Sequence, residues 1–540
     1  MTEQTNPTVA RGGADDGGLH RAIGWPQAFW LASGVPALVL FSIGGIAATI
    51  GNPSWAIWII SVSFGFLQAF IYAEIAGLFP SKSGGASVYG AAAWVRYSRI
   101  LAPLSVWCNW LAWTPVLAIG GGLAAGYILT VFFDADSAVR SWEIVLVNLD
   151  FLKSDLALRV DATFLLGALI LLLVFAMQHG GVLRAAKFQT IMGLAVVIPL
   201  LIVGFVPLLS GDVLAENLTP LKPLAFDDAG NLTEGVWDIP GWTLFLGGLF
   251  IAAWSAYAFE TAICYTSEFK DPARDTWRAI LFAGMLCIVV YTVVPLSFQG
   301  VLGVEGMLQE GIVDGSAVAG AMAGMVGGGS VVFSLMVIML ILALLLAVMT
   351  SMAGSSRTLY QGGIDGWLPR YLGRANSHGA PANAMWTDLG FNLILLMMSD
   401  YLFVLAVSNC CYLIFNFLNL NAGWIHRIDS ADTPRPWRCP TPLMAVGVAL
   451  SFVNAVLLGA GANVWGEGTL MSGIIAALLI IPVFAFRHWV QDKGKFPQQM
   501  LDDLHVSSRD LDVRKAGVLP YVVLAAGIGV AIVANQIFHL

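Results

Sequence analysis

Long apolar stretches separated by short polar loops run through most of the chain. The plainest is "VVFSLMVIMLILALLLAVM", residues 331–349. A run of about 20 apolar residues is long enough to cross a bilayer as a helix. The pattern predicts thirteen spans, near 27–50, 55–79, 103–131, 161–178, 187–209, 242–266, 279–302, 329–353, 385–399, 402–423, 442–461, 469–486 and 517–538. Polar segments divide the chain into a tail (1–24), a core carrying twelve spans (25–486), a polar stretch (487–516) and an additional terminal helix (517–538). The fold class expected is an all-α integral membrane protein with 12–13 transmembrane helices.

Composition agrees with the pattern. The 540 residues are 58% hydrophobic and 11% charged, where soluble domains carry roughly 25% charged residues. Residues 1–21 are polar and glycine-rich, and the first apolar run is too long for a signal core, so a tail without a cleavable signal is expected. The six cysteines are scattered and suggest buried thiols, with no metal or disulfide spacing. The seven histidines are isolated, and His20, His378, His426 and His505 read as solvated loop residues. No nucleotide-binding loop, catalytic Cys/His pairing or metal-ligand spacing is present. These absences argue against an enzyme, and no cofactor is expected. No basic–aromatic stripe points to nucleic acid. Two Asn-Leu-Thr triplets, at Asn217 and Asn231, read as chance matches to a glycosylation signal.

Charge sets a direction. With the N-terminus inside, 22 of the 26 Lys and Arg fall in the tail and inner loops, counting Lys187 at the inner edge of the fifth span, 4 fall in the outer loops and none lies deeper within a span. That is the asymmetry expected of a multi-pass protein of the plasma or inner membrane with a cytoplasmic N-terminus. The outer loops are acidic, through Asp134, Asp136 and Glu143, then Asp227, Asp228, Glu234 and Asp238. The net charge of −8 hides a basic inner and an acidic outer face.

Two spans look broken. The first, "WLASGVPALVLFSIGGIAATIG", has Pro36 beside Ser33 and Gly34, with Gly44 and Gly45 beyond. Proline removes a backbone donor and clashes with the preceding turn. The sixth, "LFLGGLFIAAWSAYAFETA", has Gly247 and Gly248 early and a small, polar-flanked centre from Ser255 to Ala258. Spans one and six are five apart and so cross in opposite directions, as inverted five-helix repeats require. Matching interruptions in two halves point to a midplane substrate site, where freed amides attract carboxylates and freed carbonyls attract cations. Glu260 follows the second break. An ionisable group in lipid is costly unless it faces a polar cavity, so Glu260 is a candidate to hold a cationic group, carry a proton or accept hydrogen bonds from unwound backbone. Glu74, near the end of the second span, reads as a structural or gating hydrogen-bond partner.

Three further blocks carry a family likeness. "YAEIAGLFPSKSGGASVYGAAAW" (72–94), "SEFKDPARDTWRAI" (267–280) and "SSRTLYQGGIDGWLPRYLGRANSHGAPANA" (355–384) resemble the loops after spans two, six and eight of the amino acid–polyamine–organocation superfamily of transporters. The likeness runs from about residue 24 to 487. It implies two inverted five-helix repeats plus peripheral helices, with substrate held between spans one and six. By position, the binding segments fall on Ser33, Gly34, Val35, Pro36 and Ala37, and on Trp254, Ser255, Ala256, Tyr257, Ala258 and Phe259. Where the family commonly has Gly-x-Gly in span one, this chain has Ala37 and Val39. Ala256 occupies the usual place of the span-six aromatic gate, with Trp254 and Tyr257 beside it. The span-five lysine of proton-coupled relatives corresponds to Val196. Thr350 and Ser351 match the span-eight hydroxyls of sodium-coupled relatives and are candidate ion ligands.

The function expected is secondary active transport of a small amino acid or related amine, with coupling to H⁺, coupling to Na⁺ and exchange all open. Backbone amides would hold a carboxylate, and carbonyls plus Glu260 an ammonium. Trp254, Tyr257 and Trp110 would close over the side chain or add cation–π contacts. Trp107, Trp110 and Trp113 recur every third residue, near one face of span three. The alternative is a non-transporting membrane receptor for an amino acid on the same fold.

Overall fold

The computed structural model describes residues 18–538 apart from 135, 228–231, 314, 316, 505–510 and 512. Most of the expected tail, together with Asp228, Asn231 and His505, therefore lies outside the described residues. A helix stands at each of the thirteen expected places. Eleven, among the described residues, are long and apolar enough to cross a membrane: Trp25–Ile50, Ser54–Gly77, Leu101–Phe132, Val182–Ser210, Ile239–Glu268, Pro272–Met307, Ser330–Asp365, Tyr401–Asp429, Thr441–Trp465, Thr469–Gln491 and Leu519–Ile537. The fourth and ninth, Ala162–Gln178 and Ala382–Leu396, are shorter, at 17 and 15 residues. At about 1.5 Å per residue they fall short of a ~30 Å hydrocarbon core.

Helix ends differ from the sequence reading in one instructive way. Several helices run past their apolar stretch and carry a cation in or near their last turns. Arg357, Arg427 and Arg487 lie inside helices, not in loops. Each is neutralised there. Arg357 pairs with Glu268, Arg427 with Glu74, and Arg487 with Asp492. Buried guanidinium groups are tolerated when a carboxylate meets their fixed fork of donors.

The loops after the third and fifth spans are not simple acidic linkers. Glu143–Asn148 and Ala157–Asp161 form an antiparallel hairpin, and Leu224–Phe226 pairs with Leu232–Glu234. The first hairpin clasps the turn between the ninth and tenth helices. Arg159 N donates to Met397 O at 2.8 Å, and Ser399 N donates to Ala157 O at 3.0 Å. Asp400 then caps the tenth helix by accepting from Phe403 N at 3.0 Å.

The polar stretch after the twelfth span folds back on the core. A short helix, Gln498–Asp503, brings Asp503 to Lys82, 2.9 Å away. Lys82 also meets Asp365, 2.6 Å away, at the end of the eighth span. Burial opposes the lysine's charge, but the two carboxylates outweigh it and hold the amine above its ordinary range. Beyond it, Ala516 N donates to Asp429 and Tyr521 donates to Tyr97 O. The thirteenth helix packs along the eleventh, Thr441–Gly461, so closely that the backbone of Ala531 fills the space a side chain at Gly459 would need.

Candidate functional site

Both suspect spans are broken. The first is an α-helix only to Leu31, passes through a turn, continues as a 3₁₀ helix over Pro36–Phe41, and resumes as Ile43–Ile50. The sixth is α-helical over Ile239–Ala256, then 3₁₀ over Ala258–Ile263. The break at Pro36 follows from the missing N–H. Residues 33–37 and 254–260 are all buried.

Side chains from neighbouring spans take over the lost helix bonds. Thr350 on the eighth span accepts from Gly34 N at 3.2 Å and donates to Leu31 O at 2.8 Å. Its hydroxyl thus completes a turn the first span cannot close alone. The approach is tight: a Cβ at Gly34 would lie 2.5 Å from Leu346 O and 2.6 Å from the Thr350 hydroxyl, so only glycine fits. Ser351 donates to the carbonyl of Trp113. The two candidate ion ligands are therefore engaged with the backbones of other spans. Tyr291 on the seventh span joins the two breaks, donating to Val35 O at 2.7 Å with Ser255 O 3.2 Å away. Trp254 N–H donates to Ala112 O at 3.1 Å, and its ring lies 6.3 Å from that of Phe41. Tyr257 reaches Asn454 at 3.4 Å and faces Tyr412. Ser33 and Ser255 turn back on their own segments, to Trp30 O and Ala252 O.

Glu260 sits among these groups, 1% exposed. Its Oε1 accepts from Asn109 Nδ2 at 3.2 Å and from Trp113 Nε1 at 3.1 Å. Both donors are side chains of the third span, not unwound backbone. Its Oε2 has no partner among the described residues, and no cation pairs with it. Gly85, with φ +82°, passes beside this oxygen; a Cβ there would stand 3.7 Å from Oε2 and 2.9 Å from the sulfur of Cys264. A buried carboxylate with one oxygen held and one bare is an acceptor waiting for a donor.

The three tryptophans of the third span do not act together. A spacing of three rotates each about 60° from the last on a helix of 3.6 residues per turn. Trp107 donates to Ala476 O, Trp110 to Asp388 and Trp113 to Glu260. Trp110, expected over the substrate, has its N–H engaged 2.8 Å from Asp388 Oδ1.

Asp388 was not singled out by the sequence pattern. It lies on the short ninth helix, fully buried. Asn109 and Tyr291 were missed for the same reason, and Trp113 stood out only as one of three recurring tryptophans: their roles depend on which spans meet, and a lone chain gives no such pairing. A polar residue inside an apolar run is the only signal they leave.

Ion pairs crowd the end of the bundle that carries residues 22–24. Arg357 forks onto Glu268 and lies 4.8 Å from the ring of Tyr265. Ala22 N and Ile23 N both donate to Glu268 O, and Lys270 N returns a bond to Ile23 O. Glu74 accepts from Arg427, Arg435 and Cys439 N. The backbone bonds at Glu268 and Lys270 tie the chain entering the first span to the chain leaving the sixth, and those at Glu74 tie the second span to the tenth.

A family described as amino acid permease matches residues 23–486. The chain is 23% identical over 471 residues to the branched-chain amino acid permease BcaP of Lactococcus lactis subsp. cremoris, covering 85% of this chain and 93% of that protein. It is 23% identical over 459 residues to the polyamine transporter PUT1 of Oryza sativa subsp. japonica, covering 81% and 75%. It is also 26% identical over 291 residues to the L-methionine/branched-chain amino acid exporter YjeH of Escherichia coli, covering 52% and 56%. The segment after residue 486 lies outside the family match.

Proposed function

The chain belongs to the amino acid permease family, and on that premise we propose that it is a secondary active transporter that moves a small amino acid across the membrane by alternating access. The observation that carries this reading is the bare Oε2 of Glu260, buried next to two broken helices that Tyr291 ties together. Broken spans expose peptide groups that grip a carboxylate, and the free carboxylate oxygen takes an ammonium. The odd spacing of spans one and six gives the two halves opposite orientation, which alternating access uses. Lys and Arg predominate in the loops on the N-terminal side, which favours a cytoplasmic N-terminus.

Charge supply separates an amino acid from a polyamine. A diamine needs two anionic partners. Among the described carboxylates near the breaks, Glu260 is the available one: Glu74 and Glu268 are taken by arginines, and Asp388 by three neutral donors. The walls near Glu260 are aromatic, with Trp113, Tyr257 and Tyr412 in contact, which suits an apolar side chain.

Coupling to a proton is favoured over sodium. The hydroxyls that would ligate sodium, on Thr350 and Ser351, are spent on Leu31 O and Trp113 O. The test is accumulation of labelled leucine or methionine by proteoliposomes under a pH gradient, with and without sodium. Concentrative, sodium-independent uptake supports the reading. Binding without accumulation contradicts it and favours a receptor.

A further inference from the structure

Asp388 belongs to neither broken span, yet three side chains from two other spans converge on it. Its Oδ1 accepts from Trp110 Nε1 at 2.8 Å and from Thr114 Oγ1 at 2.6 Å, and its Oδ2 is bonded to Ser355. Thr114 spends its one hydrogen on Asp388, and its oxygen accepts from Asn392 Nδ2 at 2.6 Å. Asn392 is itself fixed, since its Oδ1 accepts from Ala118 N at 3.1 Å.

Ser355 is different. Its single hydrogen has two acceptors within reach, Asp388 Oδ2 and the carbonyl of Ser351 at 2.8 Å. With the carboxylate ionised, the hydrogen points to Asp388. With a proton on Oδ2, the new O–H donates to Ser355 Oγ, and the serine hydrogen turns to Ser351 O. A hydroxyl rotates freely enough to serve both arrangements. Neither state strands a buried donor or acceptor, which is what a reversibly protonated buried group needs. Glu260 lacks this property. The partners of its Oε1 are N–H groups that only donate, and its Oε2 has no hydrogen-bond partner among the described residues.

The two carboxylates share a mechanical link. Trp110 and Trp113 stand one turn apart on the same helix, one bonded to Asp388 and the other to Glu260. Ser351, whose carbonyl receives the switched hydrogen, donates its own hydroxyl to Trp113 O. A change at Asp388 therefore reaches the helix that orients the Glu260 carboxylate.

We propose that Asp388 carries the coupling proton of the transport cycle, with Ser355 as its hydroxyl switch, while Glu260 holds the substrate's ammonium group. This rests on the transport reading above. A proton from water on one side adds to Asp388 Oδ2 and leaves to water on the other; only that O–H bond forms and breaks. Among the described residues, no charged side chain bonds to the Asp388 carboxyl. The eighth span presents Ser355, and the third presents Trp110 and Thr114. Just past the fourth helix, the His179 ring lies 3.3 Å from Asn376 Nδ2. In the turn before the ninth helix, Arg370 is held by Asp492 and Gln491.

The experiment uses the full chain in proteoliposomes, with leucine, methionine and putrescine as labelled probes. Exchange of probe at equal concentration on both sides needs no net proton movement; accumulation under a pH gradient does. Wild type is expected to exchange, to accumulate, and to acidify the lumen as probe enters. Asp388→Asn is expected to keep exchange and to lose both accumulation and acidification. Ser355→Ala is expected to keep exchange and shift the pH of half-maximal accumulation. Accumulation with acidification by Asp388→Asn overturns the proposal. So does exchange by wild type without acidification, which leaves the transport reading standing. Failure of wild type to exchange any probe removes the transport reading and this inference with it. Should Asp388→Asn not fold, Ser355→Ala decides, and an unchanged pH profile overturns the assignment.

Discussion

Tyr291 donates its hydroxyl to the carbonyl of Val35 at 2.7 Å, across the gap between the seventh span and the break in the first. The carbonyl of Ser255, at the second break, is the other acceptor, 3.2 Å away. One hydroxyl thus holds both irregular segments in register. Tyr291→Phe is expected to leave buried carbonyls short of a donor and to cost about 1–3 kcal/mol. Thermal unfolding in detergent measures this; an unchanged melting temperature would show that the two breaks do not depend on Tyr291.

Thr350 completes the first break from the eighth span. Thr350→Val keeps the shape and removes the hydroxyl, so Gly34 N and Leu31 O each lose a partner. A loss of about 1–3 kcal/mol in stability is expected, with recovery in Thr350→Ser. Replacing sodium by choline is expected to leave uptake by wild type unchanged. Sodium-dependent uptake would mean that Thr350 exchanges its backbone partners for an ion.

Glu74 holds Arg427, Arg435 and Cys439 N together at the loop after the tenth span. Glu74→Gln leaves two arginines, 13% and 9% exposed, without their anion. Removing one partner of a buried ion pair costs about 3–5 kcal/mol. The yield of monodisperse protein and its unfolding temperature should both fall. A neutral outcome would mean that water reaches the guanidinium groups.

Lys82 links the eighth span to the C-terminal segment through Asp365 and Asp503. The two carboxylates are not equivalent, at 2% and 17% exposure. Asp503→Ala is therefore expected to cost about 1 kcal/mol, as more exposed pairs do. Lys82→Ala is expected to cost several times more, because it strands Asp365. Equal effects in chemical unfolding would contradict this ranking.

The spans were legible because hydrocarbon permits few solutions: a run of apolar residues must satisfy its own backbone as a helix. The break at Pro36 was legible because proline acts locally. Glu260 stood out because a charge in an apolar run is rare. Asp388 did not, because it lies early in a short helix, where "AMWTDLGFN" reads like a helix end. Its importance comes from Trp110, Thr114 and Ser355, which meet it only in three dimensions. The assignment of Trp110 to the substrate missed that pairing. The hairpin after the third span carried a β-branched signal in "EIVLVN", but its strands, like those after the fifth span, are too short to stand out beside the helices.

The most direct test compares wild type with Glu260→Gln for binding and accumulation of labelled leucine and methionine in proteoliposomes. The amide keeps the size of the side chain and the bonds from Asn109 and Trp113, but removes the charge. Loss of a charge-assisted bond to an ammonium costs about 1.5–3 kcal/mol, so binding should weaken roughly tenfold to a hundredfold and accumulation should fall accordingly, with the unfolding temperature maintained. Wild-type affinity and wild-type accumulation in the Glu260→Gln protein would contradict a carrier that seizes its cargo through this carboxylate.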